Sequence, residues 1–294
     1  MHNHEHKTSK STKFVIGFIL NTAFTIFEFI VGILAGSLAL ISDASHNLTD
    51  SLSILIAFGG ERVSKRQANN NKSYGYGRVS IITALINGIL LFAVAAYIFY
   101  EAYLRILHPE PVKGGLVAIV AFIGILINGA VALLFFKDKD DLNVKSTFLN
   151  MAFDTLSSVG AMIAGIIILV TGNSLADPII GILIGCMLVF SAYGVVRDAL
   201  HILLEGTPKD IDTKEVQDFI TSFPHVKGVD DLHIWSISSH YLAMSCHIII
   251  EEESLKASMN QVTSIKKQLL DKYKIQHATI ETEFKHCEPN HGHQ

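Results

Sequence analysis

Six apolar runs, each long enough to cross a bilayer, constrain this chain more than any other feature. They fall at about 14–35, 38–58, 79–104, 114–136, 147–171 and 176–196, near the ~20 residues a helix needs to traverse hydrocarbon. Backbone polar groups in lipid must be satisfied within their own segment, so each run is expected to be an α-helix. Only 17% of the 294 residues are charged, against about 25% for soluble domains. An even number of spans puts both ends on one side. Lys7, Lys10 and Lys13 precede the first span, Arg62, Lys65, Arg66, Lys72 and Arg78 follow the second, and Lys137, Lys139 and Lys145 follow the fourth. The opposite loops are nearly free of basic residues. The positive-inside rule places both termini in the cytoplasm.

Polar residues inside the spans carry the chemistry. His46 and Asp50 are four apart and therefore share one face of the second helix. Asn150 and Asp154 repeat that spacing in the fifth. Ionisable groups at bilayer depth are costly and mark ion pathways, although a structural hydrogen bond between helices is the simpler alternative for one pair alone. Two such pairs offer four ligands, the number zinc prefers, if the two helices touch. Glu28 can relay protons, hold a cation or pair with a neighbouring helix. Asn21, Asn87 and Asn128 are expected to bond between helices. Asp177-Pro178 is expected to start the sixth helix, with Asp as its N-cap. Gly32, Gly36, Gly160, Gly165, Gly181 and Gly185 permit close helix approach.

Tyr74 and Tyr76, in a Gly-containing turn before the third span, look like interfacial anchors. Arg78 and Arg197 end cytoplasmic helix faces, where either is placed to pair with Asp198 across a subunit or domain contact. Beyond Arg197 hydropathy falls, and Gly206-Thr207-Pro208 forms a linker. A helix capped by Asp212 and ended by Pro224, strands at 229–238 and 241–250, a helix at 255–273 and a strand at 277–284 give α-β-β-α-β, a small α+β domain with its helices on one sheet face. A hairpin centred on His240 would set His233 opposite His247. His277, Glu281 and Glu283 alternate along the last strand and share a face, with His286 and Cys287 directly after. These residues suggest a second metal site. His2, His4, His6, His291 and His293 decorate polar ends, which are simple tails or weak metal collectors.

Several classes drop out. No basic stripe supports nucleic-acid binding. Cys186, Cys246 and Cys287 have no pairing pattern, so reduced thiols are expected. The polar start of the chain, Met1 to His6, is unlike a cleavable signal peptide.

Asp43-Ala-x-His46-x-x-x-Asp50, Tyr74-Gly-Tyr-Gly-Arg78, Asp154-x-x-x-Ser158, Leu203-Leu-Glu-Gly-Thr-Pro208, Asp231-Leu-His233-Ile-Trp235 and His277-Ala-Thr-Ile280 resemble, in order and spacing, the cation diffusion facilitators, which are divalent-metal/proton antiporters. The resemblance spans nearly the whole chain. It implies a homodimer in the cell membrane, with six transmembrane helices per protomer and a cytoplasmic metallochaperone-like domain. The implied boundaries are a tail at 1–13, membrane helices at 14–205, the cytoplasmic domain at 206–287 and a tail at 288–294. It implies a transport site of His46, Asp50, Asn150 and Asp154. It maps cytoplasmic ligands onto His233, His247 and Glu283, with His277, Glu281 and Cys287 as additions. Two departures stand out. Asn150 replaces the histidine common in zinc members, and an amide oxygen is harder and weaker than imidazole. Zinc then shares the field with cadmium, cobalt, nickel, iron and manganese. The loop at 68–72 lacks the histidines and aspartates of a surface site.

The expected function is metal efflux by alternating access, serving metal homeostasis and resistance. A membrane metalloenzyme would need a general base beside an open metal position, and no His-Glu-x-x-His occurs. A metal sensor without transport, or an importer, would use the same ligands.

Overall fold

The computed structural model describes residues 5–64, 66, 68–136, 142–238, 241–250 and 255–284, without the side chains of 5–17, 50, 53–59, 61, 134–136, 142–150 and 255–259. Six long helices come first: α1 (Glu5–Ala35), α2 (Leu38–Ser64), α3 (Val79–Leu107), α4 (Gly114–Phe136), α5 (Leu142–Thr171) and α6 (Ala176–Leu203). They follow the apolar runs, but α1 starts well inside the expected N-terminal tail, α2 runs on to Ser64, α5 starts earlier at Leu142 and α6 continues to Leu203. Among the described residues, five helices (α1, α3, α4, α5 and α6) are long and apolar enough to cross a membrane. The sixth expected span, α2, is not among them. It is 27 residues long, about 40 Å at the helical rise, but it carries Asp43, His46, Asn47 and Asp50. Ile26, Ile33, Leu90, Tyr97 and Phe190 (83% exposed) point outward, an unsustainable surface in water and a natural one in lipid.

The chain divides into two compact units, Met1–Ile56 with Ile86–Val195, and Ala57–Leu85 with Val196–Gln294. In the first, α2 belongs to two packing clusters. Leu40 packs with Phe24, Val117, Val120 and Ala161 from α1, α4 and α5. Leu38 packs with Leu91, Ile98 and Leu188 from α3 and α6. The side chains of α2 therefore meet protein on several sides, which is where buried polar groups can be tolerated.

Helices α4 and α5 touch backbone to backbone. A Cβ on Gly165 would stand 2.6 Å from the Ala118 amide nitrogen, and one on Gly114 would stand 2.7 Å from the Gly165 carbonyl oxygen. Gly165→Val should force the helices apart and cost at least about 1–3 kcal/mol, visible as a lower melting temperature of the purified protein in detergent. Gly36, at φ +69°, closes the two-residue α1–α2 turn in a backbone region that side chains resist.

The second unit carries α7 (Thr213–Thr221), β1 (Val226–Ser238), β2 (Tyr241–Ile250), α8 (Leu255–Tyr273) and β3 (Ile275–Glu283). The sheet order is β1-β2-β3, with β1 and β2 antiparallel and β2 and β3 parallel. A parallel neighbour needs a crossover, and α8 supplies it. Asp212 caps α7 by accepting from the amides of Lys214 and Glu215. Val216, Ile220, Ile265 and Leu269 of the helices pack on Ile234, Met244, Cys246 and Ile248 of the sheet, which leaves the other face to polar side chains.

Four expectations need correction. Asp177 does not cap its own helix; it caps α2, as described below. Asn128 is fully buried with neither side-chain atom hydrogen-bonded, so it ties no helices together, whereas for Asn21 and Asn87 only the side-chain oxygen is buried without a partner. Arg78 meets Glu205 at 2.9 Å, and Asp198 meets Lys209 at 2.5 Å. Tyr74 stands edge-on to the His277 ring, with centroids 5.7 Å apart, and Tyr76 accepts a hydrogen bond from Asn69, so both tyrosines engage protein.

Candidate metal centres

In the membrane-type unit, α2 brings His46 to Asp154 on α5, with Nε2 3.8 Å from Oδ1. Two donors on a tetrahedral zinc lie about 3.3 Å apart, given bonds of about 2.0–2.1 Å. A small inward shift would let both bind one ion. Asp154 is 1% exposed, and His46 Nδ1 is buried with no hydrogen-bond partner. Asn47 (1% exposed), with its amide oriented to donate, lies 3.1 and 3.2 Å from the two Asp154 oxygens. Asp50 and Asn150 lie on the same two helices, one turn along, and their side chains are outside the described residues.

One turn from His46 toward the start of α2, Asp43 accepts hydrogen bonds from Ser157 (2.6 Å) and Ser158 (2.9 Å) of α5. That bridge fixes the rotation of α2 against α5 and so aims His46 at Asp154. At the far end of α2, the Asp177 carboxylate accepts from Ser37 Oγ (2.5 Å), Leu38 N (2.6 Å) and Ala39 N (3.3 Å). It thereby satisfies amides that a helix start leaves open and opposes the positive end of the dipole. Arg105 stands 3.7 Å from Asp177 and also donates to the Gly36 carbonyl and to Glu101.

On the polar sheet face of the C-terminal unit, a second group gathers around His247. Its Nδ1 lies 2.7 Å from Glu283, and its Nε2 lies 3.9 Å from Glu281 and 4.0 Å from Asp231. Asp231 also holds His233 at 2.9 Å. The histidines are not directly opposed, as a hairpin centred on His240 would require. His233 pairs with Ser245 and His247 with Asp230, because the register shifts between Asp230 and His233. Asp231 adopts φ +50° there, the local kink of a β-bulge, and its carboxylate fills the gap between the rings. His277 is not brought in. It pairs with Ala243, four residues and about 13 Å along the strand from Glu281. Cys287 lies outside the described residues. Cys246 points into the core, where burial pushes its thiol up to about 12.

Two imidazoles with three carboxylates form a donor set suited to a borderline divalent metal. Among the described residues, no three His, Cys, Asp or Glu side chains are close enough as they stand to hold an ion. The hydrogen bond to Glu283, with the added fields of Glu283, Glu281 and Asp231, raises the His247 pKa above its ordinary value. The stabilisation from charged His247 is then complete below about pH 6.5 and is lost as pH rises through the elevated folded value. Metal-free protein should melt at a higher temperature at pH 6 than at pH 8 through this group, and His247→Gln should reduce that difference.

The comparisons with known proteins can now be set beside this geometry. A family model described as the cation efflux transmembrane domain matches residues 14–204, and one described as the cation efflux protein cytoplasmic domain matches 208–285. The chain belongs to the cation diffusion facilitators. It is a multi-pass membrane transporter of the cation efflux type and not an enzyme. Among similar facilitators, the "Cadmium, cobalt and zinc/H(+)-K(+) antiporter" of Bacillus subtilis is 37% identical over 96% of this chain and 91% of the relative. The "Metal cation efflux system protein CzcD" of Cupriavidus metallidurans is 36% identical over 98% and 91%. The "Zinc transporter ZitB" of Escherichia coli is 33% identical over 97% and 93%.

Sequence reasoning missed Asn47, the Asp43–serine bridge and Asp231 as members of these sites. The paired serines Ser157-Ser158, one turn from Asp154, were the available signal for the bridge.

Proposed function

We propose that this facilitator exports Zn2+ and related divalent transition metals from the cytoplasm in exchange for H+. In this reading α2 is the sixth span, residues 14–205 form the membrane domain, and both termini face the cytoplasm with the 206–287 domain. Two copies form the working unit, as the family's cytoplasmic domain suggests. The observation that carries the proposal is His46 Nε2 at 3.8 Å from Asp154 Oδ1, on two helices that each add a further ligand one turn along, Asp50 and Asn150. The names of the relatives support the cargo and the counter-ion.

Metal ligands must be deprotonated, so an ion entering from the cytoplasm displaces protons from His46 and the carboxylates. After the helices reorient, protons from the more acidic outer side rebind and expel it. His46 suits this exchange because a neutral imidazole can hold either a metal ion or a proton on the same nitrogen. Metal held by His233, His247 and Glu283, with Asp231 and Glu281 beside them, would draw protomers together and bias the cycle. His277 and Cys287 are at most accessory to that set.

The test is flux in proteoliposomes under an imposed pH gradient, with zinc, cadmium, cobalt, nickel, manganese and iron in competition. Zinc movement should follow the gradient, and Asn150→His should shift preference toward zinc, since imidazole is the softer donor. Metal flux indifferent to the proton gradient would refute antiport.

A further inference from the structure

Glu28 of α1 is fully buried, and neither of its carboxyl oxygens has a hydrogen-bond partner. Among the described side chains, the carboxyls of Asp43 on α2 and Asp154 on α5 act on it electrostatically. Asp43 faces it without completing a hydrogen bond and is already occupied by the hydroxyls of Ser157 and Ser158. His46 is the other titratable group on α2 that acts on Asp43. Helix α4, also packed against α1, contains no charged or titratable residue.

An ionised carboxylate here would be buried and without a hydrogen-bond donor, a costly state that carrying a proton avoids. A dication bound at Asp154, whose carboxyl acts on Glu28 electrostatically, reverses the local field. We propose that Glu28 is a proton-binding site of the transporter, distinct from the metal ligands, which holds one H+ in the metal-free protein and gives it up when a divalent cation enters at His46 and Asp154. The O–H bond of Glu28 breaks, its electron pair stays on the carboxylate and the proton leaves to water. No oxidation state changes, and any protons on the metal ligands leave separately as those ligands bind the cation. Metal and proton then exclude each other through space, and the coupling is reciprocal: H+ on Glu28 weakens metal binding as much as metal weakens H+. The inference rests on the proposed transport site.

The experiment counts protons released per zinc bound by the full-length protein in weakly buffered detergent, with bound zinc measured separately. Glu28→Gln should still bind zinc but release about one proton fewer per metal than wild type. Protons displaced elsewhere cancel in this comparison. An unchanged count with zinc binding intact would overturn the Glu28 assignment alone, whereas failure of wild type to bind zinc at His46 and Asp154 would remove both. Should Glu28→Gln misfold, infrared difference spectra of wild type and Glu28→Asp decide the matter. A carboxylic-acid carbonyl band that is lost on zinc addition and shifts in Glu28→Asp supports the proposal, and its absence, or indifference to zinc or to Glu28→Asp, sinks it.

Discussion

Asp154→Ala should lower metal transport by at least about 100-fold while leaving the protein folded. Loss of groups that merely orient a metal ligand already costs about 10–100-fold, and Asp154 is proposed as a ligand itself. It is 1% exposed, and the substitution removes the charge that faces both His46 and the Asn47 amide. Asp154→Asn separates charge from shape: it keeps the volume and a polar tip but not the anion, so transport should stay low. Zinc flux into dye-loaded proteoliposomes reads both variants. Flux within a few-fold of wild type would place the cargo elsewhere.

The second large effect concerns stability. Asp177→Ala should destabilise the protein by about 3–5 kcal/mol, the usual penalty for removing one partner of a buried charged pair. Three donors at the start of α2 would lose their acceptor, and Arg105 (11% exposed) would lose its buried counter-charge. Asp177→Asn keeps an acceptor for some of those donors and should fall between the two. Thermal unfolding in detergent measures the series, and equal melting temperatures for all three would contradict the capping role.

The helical framework was legible because spanning length and apolarity are local properties, and both ends of α4, the start of α3 and the end of α5 follow directly from them. The pairing of His46 with Asp154 was legible because the i, i+4 spacing put polar residues on one face of each helix. Asn47 was not, since an adjacent residue ordinarily points elsewhere, and only the packing of α2 on several sides turns it to Asp154. The capping of α2 by Asp177 joins positions 139 residues apart, beyond the reach of any cap signal read along the chain. The bulge at Asp231 moved His247 off His233 because a positive φ at a non-glycine residue leaves no mark in the hydrophobic alternation. The simple hairpin arithmetic failed at that point.

The glycine contact between α4 and α5 bears on how the cargo travels. With backbones in contact at Gly114 and Gly165, the two helices are expected to tilt together. Whatever opens the path from one side of the bilayer to the other, the proposed ligands on α5 would be carried by a paired strut, and those on α2 would part from it or travel with it.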